Sequence, residues 1–458
     1  MLDKRTNINH IKMKKLLMTL SLCLGITMVA SAQQKLELTL DEAVGIALND
    51  NPTIVVANLE IERYDYVRKQ ALSSLYPQVD ASAQYALALR RQEMAQGLSF
   101  GGKNTFNVAG NVALPLFVPS VYRQLKMTRT QMEMAVESAR ASRIDLIAAV
   151  RASYYSILLA EQSLTVLEEA ALTTDRVVKN TKDLYDNGLA AEYDYITAKV
   201  QRSNLDPQIL QIKNGVEIAK LQLKMYLSIP EEVEIDVVGS LDDFKNMVLL
   251  GTDYEADITE NTTIKTLDLQ LELLDHQEKL IQTTRMPTVA AFGQISLIGQ
   301  ERSDLGGLLG GMGGGAATAD QSKFWWQYPI SIGAQINIPI FAGLKKTNQL
   351  REVRNQREQL RIQRDYAEEG VRLQVQQSVN TLLTARSMML SNGETVLQAE
   401  KAYQISLTRY EAGAGTILEL NSAQLALTQA QLSYSQSIFD YLTAYAEYEK
   451  VLGKDSVE

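Results

Sequence analysis

The chain has 458 residues, of which 46% are hydrophobic and 22% are charged, and its formal net charge is −9. It contains one cysteine and two histidines, and Cys23 and His10 both lie within the first 32 residues. Because only His276 remains beyond that point, thiol catalysis, disulfide scaffolding and soft-metal binding are excluded. The acidic charge balance also argues against nucleic acid or an anionic membrane face as a partner.

Residues 1–32 have the pattern of a secretory signal peptide. Lysines at 12, 14 and 15 precede an apolar run from Leu16 to Val29, and small residues fill 30–32. A basic segment, an apolar segment and small residues at a cleavage site are the parts of such a signal. Translation can begin at Met1 or at Met13. Without this segment the formal charge becomes about −13, because the segment holds five basic residues and one acidic residue.

The first repeat is predicted over residues 33–240 and opens with a helix. Thr39 and Glu42 have the spacing of a capping box, in which each side chain accepts from the other residue's backbone N–H. The helical pattern continues to Tyr76, with a break at Asn51 and Pro52.

Two strands are predicted next, over 78–90 and 105–116. In both segments apolar side chains alternate with polar or small ones, so that each strand has one apolar face. Segments of about 10 to 12 residues with this pattern are typical of outer-membrane barrel strands. Strands of soluble sandwiches alternate in the same way, but the rest of the chain offers no apolar sheet to cover these.

A very long helix is predicted over 119–186, followed by a return helix over 191–228. No proline interrupts the long helix after Pro119, and at ~1.5 Å per residue the stretch from Phe117 to the turn is roughly 105 Å long. Pro207 predicts a kink in the return helix at an intrinsic cost of ~3 kcal/mol, because proline lacks a backbone N–H and clashes with the preceding turn.

The second repeat follows with the same order of elements. It is predicted over residues 252–458, after an equatorial segment over 230–260, with a helix, strands over 288–299 and 328–340, a long helix over 343–410 and a return helix over 416–452.

The two repeats differ in length at one place. Corresponding residues are 210 positions apart up to Pro287 and 224 apart at Pro339, so nearly all the extra length lies between these two prolines. This interval contains seven glycines between Leu305 and Asp320. Duplicated architectures tolerate insertions at loop tips, so we expect an exposed loop on the exterior side.

The number of strands predicts an oligomer. Four strands cannot close a barrel, and unpaired strand edges cannot face lipid. Two chains would give eight strands, whose interior fills with side chains, whereas three chains would give twelve strands and leave a lumen. Trp325, Trp326 and Tyr328 begin the fourth strand and are predicted to form an aromatic girdle at the membrane interface. A buried core cluster is the alternative interpretation of these three aromatic residues.

The chain resembles the TolC-like outer membrane efflux proteins over essentially all of its length after residue 32. The resemblance is carried by Leu-Pro-Leu-Phe at 114–117, Ile-Pro-Ile-Phe at 338–341, and the Tyr-x-x-Gly turns that end at Gly188 and Gly413. Each motif is weak alone, but the duplication at matching spacing makes them specific.

The resemblance implies a fold that is mainly α with a membrane β-barrel. Four strands per chain would form a twelve-stranded barrel in a homotrimer, in the outer membrane of a Gram-negative bacterium, continuous with a long α-helical periplasmic tunnel. The implied partners are outer membrane lipid, a periplasmic adaptor (membrane fusion) protein and an inner-membrane pump. No catalysis and no cofactor are implied.

The resemblance also implies two groups of site residues. The turns at Gly188-Leu189 and Gly413-Ala414 look like the tips that family members dock onto an adaptor. The alternative is ordinary turn chemistry, because a helix-to-helix turn favours glycine for its positive φ.

Asp194 and Glu419 match positions where the family places acidic residues near the closed tunnel entrance. Three-fold symmetry would make each a ring of negative charge that favours cations. The ordinary alternative is a solvated carboxylate on a helix surface. Ser422 stands where a second acidic residue is expected, and Gly415 replaces a basic residue that helps to hold the entrance shut in relatives.

Three functional interpretations follow. The main one is a passive outer membrane channel of a tripartite efflux system, and a close alternative is the outer membrane component of a type I protein secretion system. A different class is a secreted coiled-coil scaffold. The sequence has no nucleophile–base constellation and no metal-ligand cluster, so an enzyme is not predicted.

Overall fold

The computed structural model describes residues 36–89, 92–93, 99–100, 103–249, 257–301 and 324–455. The predicted signal peptide, the glycine-rich insertion and residues 250–256 of the equatorial segment lie outside the described residues. Within the described part of the chain, no helix combines the length and the hydropathy that a membrane span requires.

The first repeat has the predicted order of elements. Together with short strands that were not predicted, they are β1 (Leu36–Leu38), α1 (Leu40–Asp50), α2 (Pro52–Ser73), β2 (Gln78–Leu87), β3 (Gln92–Glu93), β4 (Ser99–Phe100), β5 (Asn104–Phe117), α3 (Pro119–Asp186), α4 (Glu192–Ser203) and α5 (Leu205–Leu227). The equatorial segment follows with β6 (Ile235–Val237) and α6 (Leu241–Leu249).

The second repeat has the same plan. Its elements are α7 (Thr262–Thr283), β7 (Thr288–Glu301), β8 (Phe324–Gln327), β9 (Ile330–Asn337), α8 (Lys345–Glu411) and α9 (Ile417–Leu452).

One antiparallel sheet contains all the long strands. β2 pairs with β5, β5 pairs with β7, and β8 and β9 both pair with β7. The strand predicted over 78–90 ends at Leu87, that predicted over 105–116 runs from 104 to 117, and that predicted over 288–299 extends to Glu301. The two copies therefore meet in the middle of the sheet, and β2 forms one of its edges.

The fourth strand, predicted over 328–340, is instead the two pieces β8 and β9. Gln327 pairs with Ile298 and Ile330 pairs with Ile295, so the register is the same on both sides of the break. The break contains Pro329, which has no N–H to donate to the ladder, although its carbonyl accepts from the Ser296 N–H at 3.0 Å. The prediction missed the beginning of this strand, at Phe324.

The predicted return helix over 191–228 is interrupted at Asn204, which separates α4 from α5. The cause is Pro207, because its ring clashes with the carbonyl four positions earlier, at Ser203, where α4 ends. The kink expected from the sequence therefore takes the form of a break three residues before the proline.

The equatorial region joins the two repeats around a buried tyrosine. β1 and β6 form a parallel pair, with Leu36 opposite Ile235. The Tyr154 hydroxyl lies 2.9 Å from the Leu38 carbonyl and 2.6 Å from the Val238 carbonyl, and it also accepts from the Val238 N–H at 3.1 Å. This hydroxyl therefore fastens the small sheet to the middle of α3.

A buried ion pair also crosses between the repeats in this region. The Arg151 guanidinium donates to the Glu449 carboxylate at 2.5 Å, which links α3 to α9. Both residues are at least nine-tenths buried. Because an unpaired charge in this position would be costly, the pair requires these two helices to stay in contact.

Candidate functional site

The far end of the first helical hairpin is a tight glycine turn. Gly188 has φ +72° and follows the C-cap Asn187 of α3. The Gly188 N–H donates to Tyr185 O at 2.8 Å, and the Leu189 N–H donates to Leu184 O at 2.8 Å. This pair of bonds is a Schellman motif, which satisfies the last carbonyls of the helix. It leaves the Leu189 side chain 76% exposed at the tip.

The second hairpin ends in the same way. Gly413 has φ +70°, and its N–H donates to Tyr410 O at 3.0 Å. The Ala414 N–H donates to Arg409 O at 2.8 Å, and Ala414 is exposed. The four predicted tip residues thus occupy two copies of one turn.

The two hairpins pack against each other close to these turns. The Thr181 hydroxyl of α3 lies 3.0 Å from the Tyr410 hydroxyl of α8, and Thr181 is fully buried. A small apolar cluster continues this contact, formed by Val177, Ala198, Tyr403, Ile417, Leu420 and Leu427. The tips are therefore the ends of one packed four-helix unit within the protomer.

The two predicted gate carboxylates occupy the same position in their helices. Asp194 is the third residue of α4, after the N-cap Ala191, and Glu419 is the third residue of α9, after the N-cap Thr416. A negative charge in the first turn of a helix is stabilised by the helix dipole. The described side chains show no hydrogen bond or ion pair between Asp194 and Glu419.

Glu419 also has a local structural role that Asp194 lacks. The Glu419 N–H donates to the Thr416 hydroxyl at 3.2 Å, and Glu419 Oε2 accepts from the Thr416 N–H at 3.4 Å, which completes a capping box. Ala191 has no side-chain oxygen to form such a box. The capping box by itself is enough to explain an acidic residue at 419, but it does not explain Asp194.

Arg409 is a residue of this region that the sequence analysis missed. Its Nη2 donates to Ala414 O at 3.2 Å and lies 3.7 Å from Glu419 Oε2. A Cβ at Gly415 would lie 3.2 Å from Arg409 Cβ, so Arg409 already packs against position 415. Ser422 is exposed on α9, one turn beyond Glu419. Arginine next to the Tyr-x-x-Gly turn was the available sequence signal.

The predicted girdle residues divide between the two faces of the sheet. Trp326 lies on the apolar face with Phe324, Phe106 and Tyr85, whose rings follow one another across three strands with centroids 4.8 to 6.3 Å apart. Because side chains alternate along a strand, Trp325 projects from the polar face. The continuous register puts Tyr328 back on the apolar face, where it is 71% exposed. Trp325 therefore does not share one face with the other two residues, as a single girdle requires.

A family comparison identifies this architecture. The model of the outer membrane efflux protein family matches residues 43–228 and, a second time, residues 259–454. The chain belongs to the outer membrane efflux protein family. The double match also confirms the internal duplication inferred from the sequence.

Individual relatives have low sequence identity, but some of them match most of the chain. TolC of Vibrio cholerae is 21% identical over 384 residues, which cover 83% of each chain. The outer membrane efflux protein BepC of Brucella suis is 29% identical over 114 residues, so the chain spans only a quarter of the length of that relative. The crystal structure of VceC from Vibrio cholerae has a TM-score of 0.70 at 16% identity, covering 90% of this chain and 96% of that one.

These similarities confirm the fold and the outer membrane location expected from the sequence. The family and the fold are those of channels and not of enzymes. Membership of an outer membrane efflux family leaves no support for a secreted coiled-coil scaffold.

Proposed function

We propose that this outer membrane efflux protein works as a homotrimeric channel, which passively conducts substrates from a periplasmic adaptor and an inner-membrane pump to the exterior. The observation that carries the proposal is the pair of matched hairpins. α3 begins at the sheet and runs for 68 residues to the turn at Gly188, and α8 runs for 67 residues to a turn of the same kind at Gly413. At ~1.5 Å per residue each spans about 100 Å, which is long enough for a duct across the periplasm.

The sheet edges support the trimer. Within the described residues, β2 has a partner only on its β5 side, and β9 has one only on its β7 side. Unpaired backbone groups of this kind are costly in lipid, and pairing between protomers satisfies them. Three copies would provide twelve long strands, and three is the smallest number of four-stranded chains that exceeds the eight strands whose interior fills with side chains.

The tips at Gly188, Leu189, Gly413 and Ala414 would contact the adaptor. Leu189 supports this role, because its side chain is 76% exposed at the turn and offers apolar surface to a partner. Asp194, Glu419 and Ser422 would line the periplasmic entrance just inside these tips. In a three-fold assembly each carboxylate position would form a ring that attracts cations.

Planar bilayers provide the test of the channel. Purified full-length protein should run as a trimer whose mobility changes on heating, and it should give single-channel conductance that rises when a matching adaptor is added. A protein that is monomeric, or a trimer that never conducts, would overturn the proposal. Opening only by the adaptor of a protein-secretion system would instead assign the channel to type I secretion.

Site-specific cross-linking provides the test of the tips. The sequence after residue 32 has no cysteine, so a single engineered cysteine is a unique attachment point. We expect Leu189→Cys, labelled with a photo-activated cross-linker, to capture the adaptor. Leu59→Cys in α2 is the matched control, because Leu59 is also exposed (57%) but lies in a helix beside the sheet. Equal capture at both positions would contradict docking at the tips.

A further inference from the structure

Six basic side chains surround the junction between the sheet and the helices. They lie in the first turns of α3, just after α7, and in the first turns of α8, and we call them the junction cations: Arg123, Lys126, Arg285, Lys345, Lys346 and Arg351. Arg285 donates to Thr347 Oγ1 at 3.3 Å, and Lys346 donates to the Thr284 carbonyl. None of the six forms an ion pair with a carboxylate among the described residues.

Other cations of the same region are already neutralised. Arg129 pairs with Glu133 at 3.1 Å, and Arg354 pairs with Glu278 at 2.8 Å. Asp65 pairs with two basic residues, Arg68 and Lys69, at 2.9 and 2.7 Å. In the helical turns that carry the junction cations, Glu352 is the one described carboxylate without an ion pair. A positive surface therefore persists here in a chain whose overall charge is negative.

The helix dipoles add to this positive potential. α3 and α8 both begin at the junction, and neither has an acidic residue in its first turn. α8 instead has Lys345 and Lys346 as its first two residues. Cations at a helix N-terminus are unfavourable in an isolated protein, so this placement gains stability only when an anion lies nearby.

Exposed apolar side chains lie next to this positive surface, on its sheet side. Ile340 and Phe341, between the sheet and α8, are 93% and 81% exposed, and Phe117 and Tyr122 are about half exposed at the start of α3. Along the chain the order is apolar strand, aromatic residue, then cation. A phospholipid has the same order of acyl chain, interface and phosphate, and interfacial aromatic residues beside cations are typical of membrane boundaries.

We infer that the junction cations bind the phosphate head groups of anionic phospholipid in the membrane leaflet on the helical side of the barrel. The inference rests on the outer membrane channel proposed above, since that arrangement brings the junction to the lipid surface. The partner chemistry follows from the unpaired cations, because a zwitterionic lipid offers no net charge to neutralise them.

The test compares two variants that each lose three positive charges. The junction variant carries Lys345→Gln, Lys346→Gln and Arg351→Gln. The control variant carries Lys179→Gln, Lys182→Gln and Lys401→Gln, which are exposed residues in the same two long helices without ion pairs in the described structure. Both variants are reconstituted as full-length protein in vesicles of phosphatidylcholine with a minor fraction of phosphatidylglycerol. Association of spin-labelled phosphatidylglycerol relative to spin-labelled phosphatidylcholine is then measured.

We expect the wild type and the control variant to prefer phosphatidylglycerol over phosphatidylcholine. The preference of the junction variant should be at least about fivefold lower, because each surface cation contributes roughly that factor. The wild-type preference should also shrink at 1 M salt, where the screening length is about 3 Å. No preference in wild type, or equal preference in both variants, would overturn the inference. So would a change in ion selectivity without a change in lipid preference, which would mean that these cations face the lumen.

Conductance of the same samples separates the two proposals. If wild type conducts in planar bilayers but shows no preference for phosphatidylglycerol, the lipid inference alone fails. If wild type forms no channel at all, the proposed function fails, whatever the lipid result.

Discussion

The side-chain amide of Asn261 donates a hydrogen bond to the Val451 carbonyl at 2.7 Å, and its oxygen accepts from the Thr263 N–H at 3.0 Å. One side chain thus joins the end of α9 to the beginning of α7. Asn51 joins α5 to α2 in the same way, through Tyr226 O and the Thr53 N–H, both at 2.8 Å. These two asparagines hold two shorter helices end to end beside one long helix in each repeat.

Replacing Asn261 by Asp should destabilise the protein by about 1–3 kcal/mol, because the cap acceptor stays while the buried Val451 carbonyl loses its donor. Asn261→Ala removes the cap as well and should cost about 1 kcal/mol more. Thermal unfolding followed by circular dichroism, together with the dissociation temperature of the trimer on gels, measures both. The exposed Asn180→Asp is the control, and equal melting of the two Asp variants would contradict the bridging role.

Gly453 closes α9 with φ +76°, and an added Cβ would lie 2.3 Å from the Glu260 carbonyl oxygen. Gly413 has a similar φ of +70°, but nothing lies within 4 Å of its added Cβ. Gly413→Ala should therefore cost about 1–2 kcal/mol from backbone strain alone. Gly453→Ala should cost clearly more in the same unfolding measurement, because backbone must also move. Similar losses for both variants would mean that the close approach to Glu260 has no energetic weight.

Stability should fall in alkaline solution, because tyrosines ionise in the unfolded chain at a lower pH than in the folded protein. Burial raises the pKa of Tyr155 to about 12, whereas an unfolded chain has a tyrosine pKa of about 10. A raised folded pKa stabilises the neutral form, so this contribution is complete below pH 10 and is lost as the pH rises towards 12. Tyr155→Phe should flatten the fall of unfolding free energy over this range by up to about 3 kcal/mol. The exposed Tyr366→Phe should leave the slope as in wild type, and an unchanged slope in Tyr155→Phe would refute the assignment.

Two substitutions at Glu419 separate a role in the gate from a role in the helix cap. Glu419→Gln removes the charge but keeps an oxygen for the Thr416 N–H, since Gln also completes a capping box. If Glu419 forms a charged ring, Glu419→Gln and Glu419→Ala should both lower the preference of the open channel for cations. A shift of the reversal potential in a salt gradient measures this change. If Glu419 serves only the cap, Gln should behave as wild type, and Ala alone should increase leak conductance by loosening the turn.

Much of the fold could be predicted from the sequence because it depends on local sequence patterns. Period-two alternation located the strands, the absence of proline after Pro119 indicated an uninterrupted α3, and the Tyr-x-x-Gly turns located the ends of the long helices. The beginning of the fourth strand at Phe324 could not be predicted, because the register that unites β8 and β9 comes from pairing with β7 and not from a local pattern. Pro207 predicted the kink, and the carbonyl that its ring obstructs, four positions earlier at Ser203, accounts for the break at Asn204.

Only part of the candidate site could be predicted from the sequence. The tip glycines follow from turn chemistry, whereas Asp194 and Glu419 were predicted from the family resemblance, and their role at the entrance stays a prediction. Arg409 was missed because its contacts with Ala414 and Glu419 exist only after the chain has turned back on itself. Trp325 was grouped with Trp326 because they are neighbours in sequence, although strand geometry sends neighbours to opposite faces.

The sequence by itself determined the duplication, the lengths of the helices and the side chains that alternate along the strands, because each depends on residues close together in the chain. The tertiary structure decided how the copies are joined, through Asn51 and Asn261 at the helix ends and through the pairing of β5 with β7 in the sheet. It also decided which charged side chains have no ion pair. Arg151, Arg354 and Arg357 pair with carboxylates only because the long helices pack against other helices, whereas the junction cations remain unpaired beside the sheet within the described residues.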